Sequence, residues 1–388
     1  MATLGGRGFL RAESAPAGLL ASGHREGDLL VKHYLVYKTQ GGRGMTSPGR
    51  LGSSAGQLPA LGFGAAPLGN LYRPLTDGDA EALLQAAWNA GLRYFDTAPL
   101  YGFGLSERRL GAFLRQRPRD SFTVSTKVGR VLVPNEGWHP QRDYFIDVPA
   151  FEPVFDYSYD GIMRSFEASL ERLGLDRIDI LLMHDIGEKT HGVSHEDLFR
   201  VAMDGGYRAM EELRRSGAVG ALGIGANEWQ VCNLAMDRGD WDCFLLAGRY
   251  TLLEQGALVP FLERCVREDK KIIIGGVFNS GILATGAVEG ARFDYEAASA
   301  DVSAKVRALG AACRAQRVPL AAAALQFPLA HPAVQNVIPG FGSKSELDEV
   351  LQWMAYAIPS GLWEELKREE LIDARAPVPS DTTCVVLQ

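Results

Sequence analysis

The chain has 388 residues, of which 46% are hydrophobic and 22% charged, with a net charge of -7 and a pI near 5.6. That balance supports a large buried core, excludes general attraction to nucleic acid or an anionic membrane surface, and comes with no apolar run long enough to span a bilayer. Its five cysteines, Cys232, Cys243, Cys265, Cys313 and Cys384, are odd in number and form neither a CxxC pair nor a zinc ligand set, so reduced thiols in a cytoplasmic protein are expected.

Residues 1–56 are rich in glycine, serine and arginine and weak in apolar periodicity, as in Gly41-Gly42-Arg43-Gly44, and read as a disordered or loosely attached extension. Glu13, Glu26 and Asp28 count against an organelle-targeting leader, and the apolar centre of a secretory signal is missing. The blander reading makes Met45 the natural start.

From Leu58 onward short apolar runs alternate with amphipathic stretches, the mark of repeated βα units around a parallel sheet. Strands are expected over 60–63, 94–96, 122–127, 178–184, 221–225, 243–247, 272–276 and 336–338. The helices that follow them are expected over 77–90, 106–115, 159–173, 198–215, 228–237, 257–268, 302–316 and 344–354. Gly91, Gly174 and Gly217 stand where helices stop, since glycine takes the left-handed conformation without a Cβ clash. Eight units of one strand and one helix favour a closed (β/α)8 TIM barrel over 57–372, with a tail over 373–388. No GxGxxG follows the first strand; the sequence there is Gly62-Phe63-Gly64-Ala65-Ala66-Pro67-Leu68-Gly69-Asn70. The tail carries Cys384 fifth from its end, one place off a prenylation signal.

In such a barrel the reactive groups lie at the carboxyl ends of the strands. Asp96 ends the second strand with Tyr101 just beyond it, Lys127 ends the third and His184 the fourth. Singly, Asp96 reads as a turn residue, Lys127 as a solvated strand end and Tyr101 as a half-buried aromatic. In register on neighbouring strands they are the parts for moving a proton on and off an oxygen: a phenol, a cation to favour its phenolate, a carboxylate to hold the cation, and an imidazole. His184-Asp185 is not read as a metal pair, because adjacent strand residues face opposite ways. The aromatic-rich connection over 128–158 is expected to roof a pocket. His191 and His195 are candidates for substrate contact, with a plain surface position as the alternative.

Gly91-Leu92-Arg93-Tyr94-Phe95-Asp96-Thr97-Ala98-Pro99-Leu100-Tyr101-Gly102, with Ser106-Glu107-Arg108-Arg109-Leu110-Gly111, resembles the leading signature of the aldo-keto reductases, and the likeness runs from about Leu58 to Met354. The phrases over 61–72 and 247–253 resemble the branch that holds the D-threo-aldose (L-fucose) 1-dehydrogenases and the pyridoxal 4-dehydrogenases. The resemblance implies a barrel binding NAD or NADP in extended form, with Asp96, Tyr101, Lys127 and His184 as the catalytic tetrad and a small sugar or aldehyde as substrate. It implies that Asn227 holds the nicotinamide carboxamide, that the pyrophosphate lies by Ser280, Gly281 and Leu283, and that the adenosine end meets Gly340, Ser343 and Lys344. Phe278 is the candidate ring to stack on nicotinamide, with core packing as its alternative. Ala226 and Ala247 replace the family's usual serine and glutamine. Gly342 stands where many relatives carry an arginine for the 2′-phosphate, which tilts the reading toward NAD. The activity implied is oxidation of an L-fucose-like aldose at C1 to its lactone; pyridoxal oxidation and general carbonyl reduction are the alternatives. A barrel that binds the dinucleotide without turnover is the rival of a different class.

Overall fold

The computed structural model of the chain describes residues 58–380 apart from Glu136, Trp138, Pro140 and Asp143. The expectations for the extension over 1–56, for Met45 and for Cys384 fall outside the described residues.

Eight parallel strands form the barrel: β1 (Phe63–Gly64), β2 (Tyr94–Asp96), β3 (Thr123–Val128), β4 (Ile178–His184), β5 (Val219–Ala226), β6 (Cys243–Ala247), β7 (Lys271–Gly275) and β8 (Val334–Ile338). Each pairs with the next along the chain. Parallel bridges of Leu61 to Val337 and Gly64 to Gly340 close the ring, and there the Gly62 N–H donates to Val337 O at 2.9 Å. A Cβ on Gly62 would stand 2.7 Å from the Tyr94 ring and 2.8 Å from Ile338, so the closing seam has room only for glycine. The first strand, expected over 60–63, is the two-residue Phe63–Gly64, preceded by a single bridge at Leu61.

Helices cover the outside, and their ends follow local chemistry. Tyr159–Leu173 starts where the Ser158 side chain accepts from the Gly161 N–H and stops at Gly174, whose φ is 62°. Thr76, Ser299 and Ser343 cap Asp77–Asn89, Ala300–Ala315 and Lys344–Met354 in the same way. The single helix expected over 198–215 is two, His195–Val201 and Tyr207–Ser216, joined by a wide π turn at Ala202–Gly206. The cause is contact: a Cβ on Gly206 would lie 2.6 Å from Tyr157 O, so the helix presses its backbone onto the segment before Ser158. Within the long connection after β3, the described residues form two antiparallel hairpins, Arg130–Pro134 with Phe151–Phe155 and Gln141–Arg142 with Phe145–Ile146. A further hairpin, Arg292–Phe293 with Glu296–Ala297, follows β7.

Alternation along the strands decides what reaches the barrel mouth. Tyr94, Ile180, Leu182, Ala221, Cys243, Leu245, Ile273 and Ile338 pack together inside the ring, above Leu58. Two residues on from these inward positions come Asp96 after Tyr94, and His184 after Ile180 and Leu182, on the same faces. Lys127 follows Ser125 in the same way, and Asp96 is paired in register with Ser125. The apolar interior therefore hands over, at one level, to a carboxylate, an ammonium and an imidazole.

Candidate active site

The Lys127 ammonium donates to Asp96 Oδ2 at 2.7 Å, to Thr97 O at 2.9 Å and to the Tyr101 phenol oxygen at 3.1 Å. Ser125 Oγ donates to Asp96 Oδ1 at 2.7 Å and lies 2.9 Å from the Tyr94 hydroxyl, so both carboxylate oxygens are held. Asp96 and Lys127 are buried to within a few per cent. In so dry a place the pair stands only because each charge meets the other and further polar partners.

Tyr101 is not on a strand, and its position is fixed by backbone contact. Gly102 has φ 62°, and Cβ atoms on Gly69 or Gly102 would fall 2.5 Å from Tyr101 C and 2.4 Å from Gly69 O. The two loops touch main chain to main chain. The Ser-Glu-Arg-Arg phrase after Tyr101 ties them down. Ser106 Oγ donates to Ala65 O at 2.7 Å, and Arg109 donates to Leu68 O, Asn70 Oδ1 and Leu75 O at 2.6–2.8 Å. Glu107, fully buried, accepts from Thr126 Oγ1 at 2.6 Å and Arg172 Nε at 2.5 Å. The phrase that carries the resemblance is scaffolding for the phenol.

His184 meets the Tyr101 ring edge to face, with centroids 6.3 Å apart. Burial, then the Arg130 and Lys127 charges, hold its imidazole well below the usual histidine range, so it is neutral. The expectation about Asp185 needs correction. β4 ends at His184, Asp185 takes φ 50° and its Oδ2 turns back to 3.4 Å from His184 Nε2, so strand alternation does not separate the two. What argues against a metal pair is that Arg130 donates to the same Oδ2 at 2.6 Å, and among the described residues no group of three His, Cys, Asp or Glu could hold a metal. Burial opposes the charge on Lys127, but Asp96 and then Tyr101 outweigh it and push the ammonium up to about 12. On Tyr101 burial wins: it raises the phenol above its ordinary value while Lys127 pulls the other way. The simple expectation that Lys127 makes the phenol acidic is thus only half met in the free protein.

A cleft of about 420 Å³ runs from Asp96 and Tyr101 past Asn227, Ala247, Gly275 and Gly276 to Gly340, Gly342 and Glu346. Asn227, Phe278, Ser280, Gly281 and Gly340 line it. Asn227 Nδ2 donates to Asp185 Oδ1 at 3.3 Å. Phe278 also sets its ring edge-on against Trp353, 5.7 Å away, in the last barrel helix. Ser280 Oγ accepts from the Tyr295 N–H at 3.0 Å, and the Gly281 N–H is spent on Phe278 O at 3.1 Å. Leu283 is fully buried and is not part of the lining. Ser343 caps its helix by accepting from the Glu346 N–H, and Lys344 pairs with Asp348 at 2.5 Å. His191 and His195 stand behind the mouth, on Tyr157 Oη at 3.0 Å and Ile186 O at 3.1 Å.

Several groups at the cleft were not anticipated. Glu346 accepts from the Gly342 N–H at 2.7 Å and from Arg73 at 2.6 Å. Asp294, in the hairpin after β7, accepts from Arg249 and Lys189 at 2.6 and 2.7 Å, and beside it Tyr295 stacks on Tyr144. None of these follows from strand-end position, since each sits on a loop or one turn into a helix. A signal for Glu346 was the capping-box pattern, Ser343 with Glu346 three residues on.

The Aldo/keto reductase family profile matches residues 60–368. The pyridoxal 4-dehydrogenase of Microbacterium luteolum is 43% identical over 340 residues, 83% of this chain and 97% of the relative. The D-threo-aldose 1-dehydrogenase of a Pseudomonas species is 42% identical over 320 residues, 81% and 95% of the two chains. Among solved structures, a glycerol dehydrogenase from Gluconobacter oxydans superposes with a TM-score of 0.65 at 19% identity, over 87% of this chain and 99% of that one, a likeness of fold. With a closed eight-stranded barrel, a family match over most of its length and two relatives above 40% identity, this chain belongs to the Aldo/keto reductase family and is an oxidoreductase.

Proposed function

We propose that the protein oxidises the cyclic hemiacetal of an aldose, an L-fucose-like sugar, at C1 to its lactone, using NAD and with Tyr101 as the acid/base. The observation that carries this reading is the Lys127 ammonium, 3.1 Å from the Tyr101 phenol oxygen and itself held by Asp96, at the head of a long cleft. The cleft fits an extended dinucleotide. Much of its lining is Gly64, Ala66, Ala247, Gly248, Gly275 and Gly276, which leaves room for a flat ring and for close approach of phosphate to backbone. Asn227 offers its amide to the nicotinamide end, and Ser280, Gly281 and Gly340 line the rest of the path, whereas Ser343 and Lys344 follow Gly342 in sequence without lining it. Bound oxidised nicotinamide would supply the hydride acceptor and a positive ring charge beside the phenol.

The residues of this chain do the rest. The anomeric oxygen sits between Tyr101 and neutral His184, which fixes its angle. As the C1–H bond breaks with its electron pair leaving as hydride, the O–H electron pair becomes the C=O bond and the proton passes to the Tyr101 phenolate. Lys127 stabilises that phenolate beforehand, and Asp96 keeps the lysine charged and in place. In the reverse direction the protonated phenol is the acid.

NAD is proposed over NADP because the carboxylate of Glu346 lines the cleft beside Gly342 and already holds the Arg73 guanidinium there at 2.6 Å, so a dianionic 2′-phosphate would have to compete with a carboxylate for that cation. Pyridoxal, whose hemiacetal presents a similar carbon, is the second reading. It is favoured by the rim, where Tyr144 stacks on Tyr295 at 5.3 Å and meets Tyr72 edge-on at 5.8 Å, an apolar wall suited to a planar ring. A cytoplasmic location belongs to the same proposal, supported by unpaired Cys232, Cys243, Cys265 and Cys313. The test is NADH or NADPH formation by purified protein with L-fucose, D-arabinose, L-galactose, pyridoxal and a plain aldehyde. Sugar-dependent NADH formation supports the proposal, turnover with pyridoxal alone favours the second reading, and dinucleotide binding without turnover on any of the five overturns both.

A further inference from the structure

We propose that Asp185, clamped by Arg130, is a positioning residue that sets the tautomer of His184 and the aim of Asn227, so that the oxygen-holding imidazole and the nicotinamide-holding amide are oriented by one carboxylate. The proposal rests on the reading of the cleft given above.

The observations are geometric. Asp185 follows β4 with φ 50°, a left-handed backbone that only a few side chains accept readily, asparagine and aspartate among them. That turn brings the carboxylate back over the strand end. Its Oδ2 stands 3.4 Å from His184 Nε2, and its Oδ1 accepts from Asn227 Nδ2 at 3.3 Å. Tyr157 Oη donates to the carbonyls of His184 and Asp185 at 2.7 and 3.1 Å, which pins the main chain of both. Arg130, from the first hairpin after β3, donates to Oδ2 at 2.6 Å and lies 4.5 Å over the Phe155 ring. Both members of this pair are largely buried, with side-chain exposures of 14% and 7%.

A neutral imidazole has one N–H and one lone pair, and which nitrogen carries the proton depends on the neighbours. At His184 the Nδ1 is buried with no hydrogen-bond partner, whereas Nε2 faces an anionic oxygen. The anion favours the tautomer protonated at Nε2. The same anion draws the Asn227 NH2 group toward itself, which turns the amide oxygen of Asn227 away from it. Arg130 pairs with the carboxylate at 2.6 Å and so offsets its charge beside His184. A purely structural ion pair would need neither the backbone turn nor the contact to Asn227.

Asp185→Asn tests this, because asparagine keeps the shape and tolerates the left-handed backbone but offers an N–H as readily as an oxygen. Heteronuclear NMR of the unliganded protein, with histidine labelled in heavy nitrogen, should show His184 as the Nε2–H tautomer in the wild type and a shift toward Nδ1–H in the variant. In turnover kcat should fall about 10- to 100-fold, the size of one lost hydrogen bond to a charged group, and the dissociation constant for NAD should rise a few-fold. Arg130→Gln, which frees the carboxylate to turn, should lower kcat in the same direction, and Arg130→Lys should restore most of it. These two variants decide the matter should Asp185→Asn not fold. An unchanged tautomer with kcat within about twofold of wild type would overturn the proposal. If the wild type oxidises none of the sugars while the tautomer still shifts, the substrate proposal fails and this one stands.

Discussion

The two ends of the cleft handle charge differently. At the head, Lys127 and Asp96 are 2% and 3% exposed and 2.7 Å apart, tied to Ser125, Thr97 and Tyr101 on strands and loops whose backbones touch. At the far end, Arg73 and Glu346 are 2.6 Å apart but 53% and 46% exposed, on a loop and on the first turn of a helix. A buried ion pair is costly to assemble and more costly to break, whereas an exposed one is worth at most about 1 kcal/mol. The head of the cleft is therefore where the fold commits to one chemistry. On the proposed reading, the far end is where a modest change can alter which dinucleotide is preferred.

The comparison breaks first at the phenol. Tyr101→Phe should lower kcat by about 10²- to 10⁴-fold, the range of one general acid/base, while NAD binding by fluorescence stays close to wild type. Next is Asp96→Asn, which leaves a buried ammonium without its anion. Urea unfolding should show a loss of about 3 kcal/mol, and residual turnover should fall as Lys127 loses its anchor. An equal stability in the variant would mean that the pair is not the keystone described here.

The pH profile sharpens the same end. Burial raises Tyr101 above its ordinary value with Lys127 opposing, so the phenol holds its proton through neutrality and the base form grows about tenfold per pH unit below the pKa. Oxidation should accelerate with pH through the alkaline range, and carbonyl reduction should not. His184, kept neutral by burial and by Arg130 and Lys127, should add no limb above about pH 6. A bell with an acidic limb near the ordinary histidine value would contradict this placement. The smallest effect belongs to the far end: Glu346→Gln should improve NADP relative to NAD by about 5- to 10-fold in kcat/KM, with kcat for NAD unchanged. The measurement is initial rate against each dinucleotide at fixed sugar.

How much of this could be read beforehand follows the same division. The barrel and the positions of Asp96, Lys127 and His184 were legible because strand alternation is strict and buried parallel strands are nearly pure apolar runs, as in Ile272, Ile273 and Ile274. Tyr101 was legible from its position just beyond the second strand and from its motif, but what fixes it was not; the contact of Gly69 with Gly102 joins two segments some thirty residues apart. Asp185 was misjudged because alternation holds only while the backbone stays extended, and at φ 50° it does not. Arg73 and the hairpin with Asp294 and Tyr295 were invisible, since loops carry no periodic signal and their partners are distant in sequence; Glu346 carried only the capping-box signal, which says nothing of a cleft. The broken helix around Gly206 was hidden for a similar reason, as its cause is a neighbour's carbonyl.

The central claim, a Tyr101-dependent oxidation at a hemiacetal carbon, is tested most directly by following NADH absorbance for wild type and Tyr101→Phe side by side, with NAD and L-fucose at alkaline pH. The account predicts steady NADH formation with lactone as product in the wild type, and a loss of at least about 10²-fold in a variant that still binds NAD. Equal rates in the two proteins would contradict it.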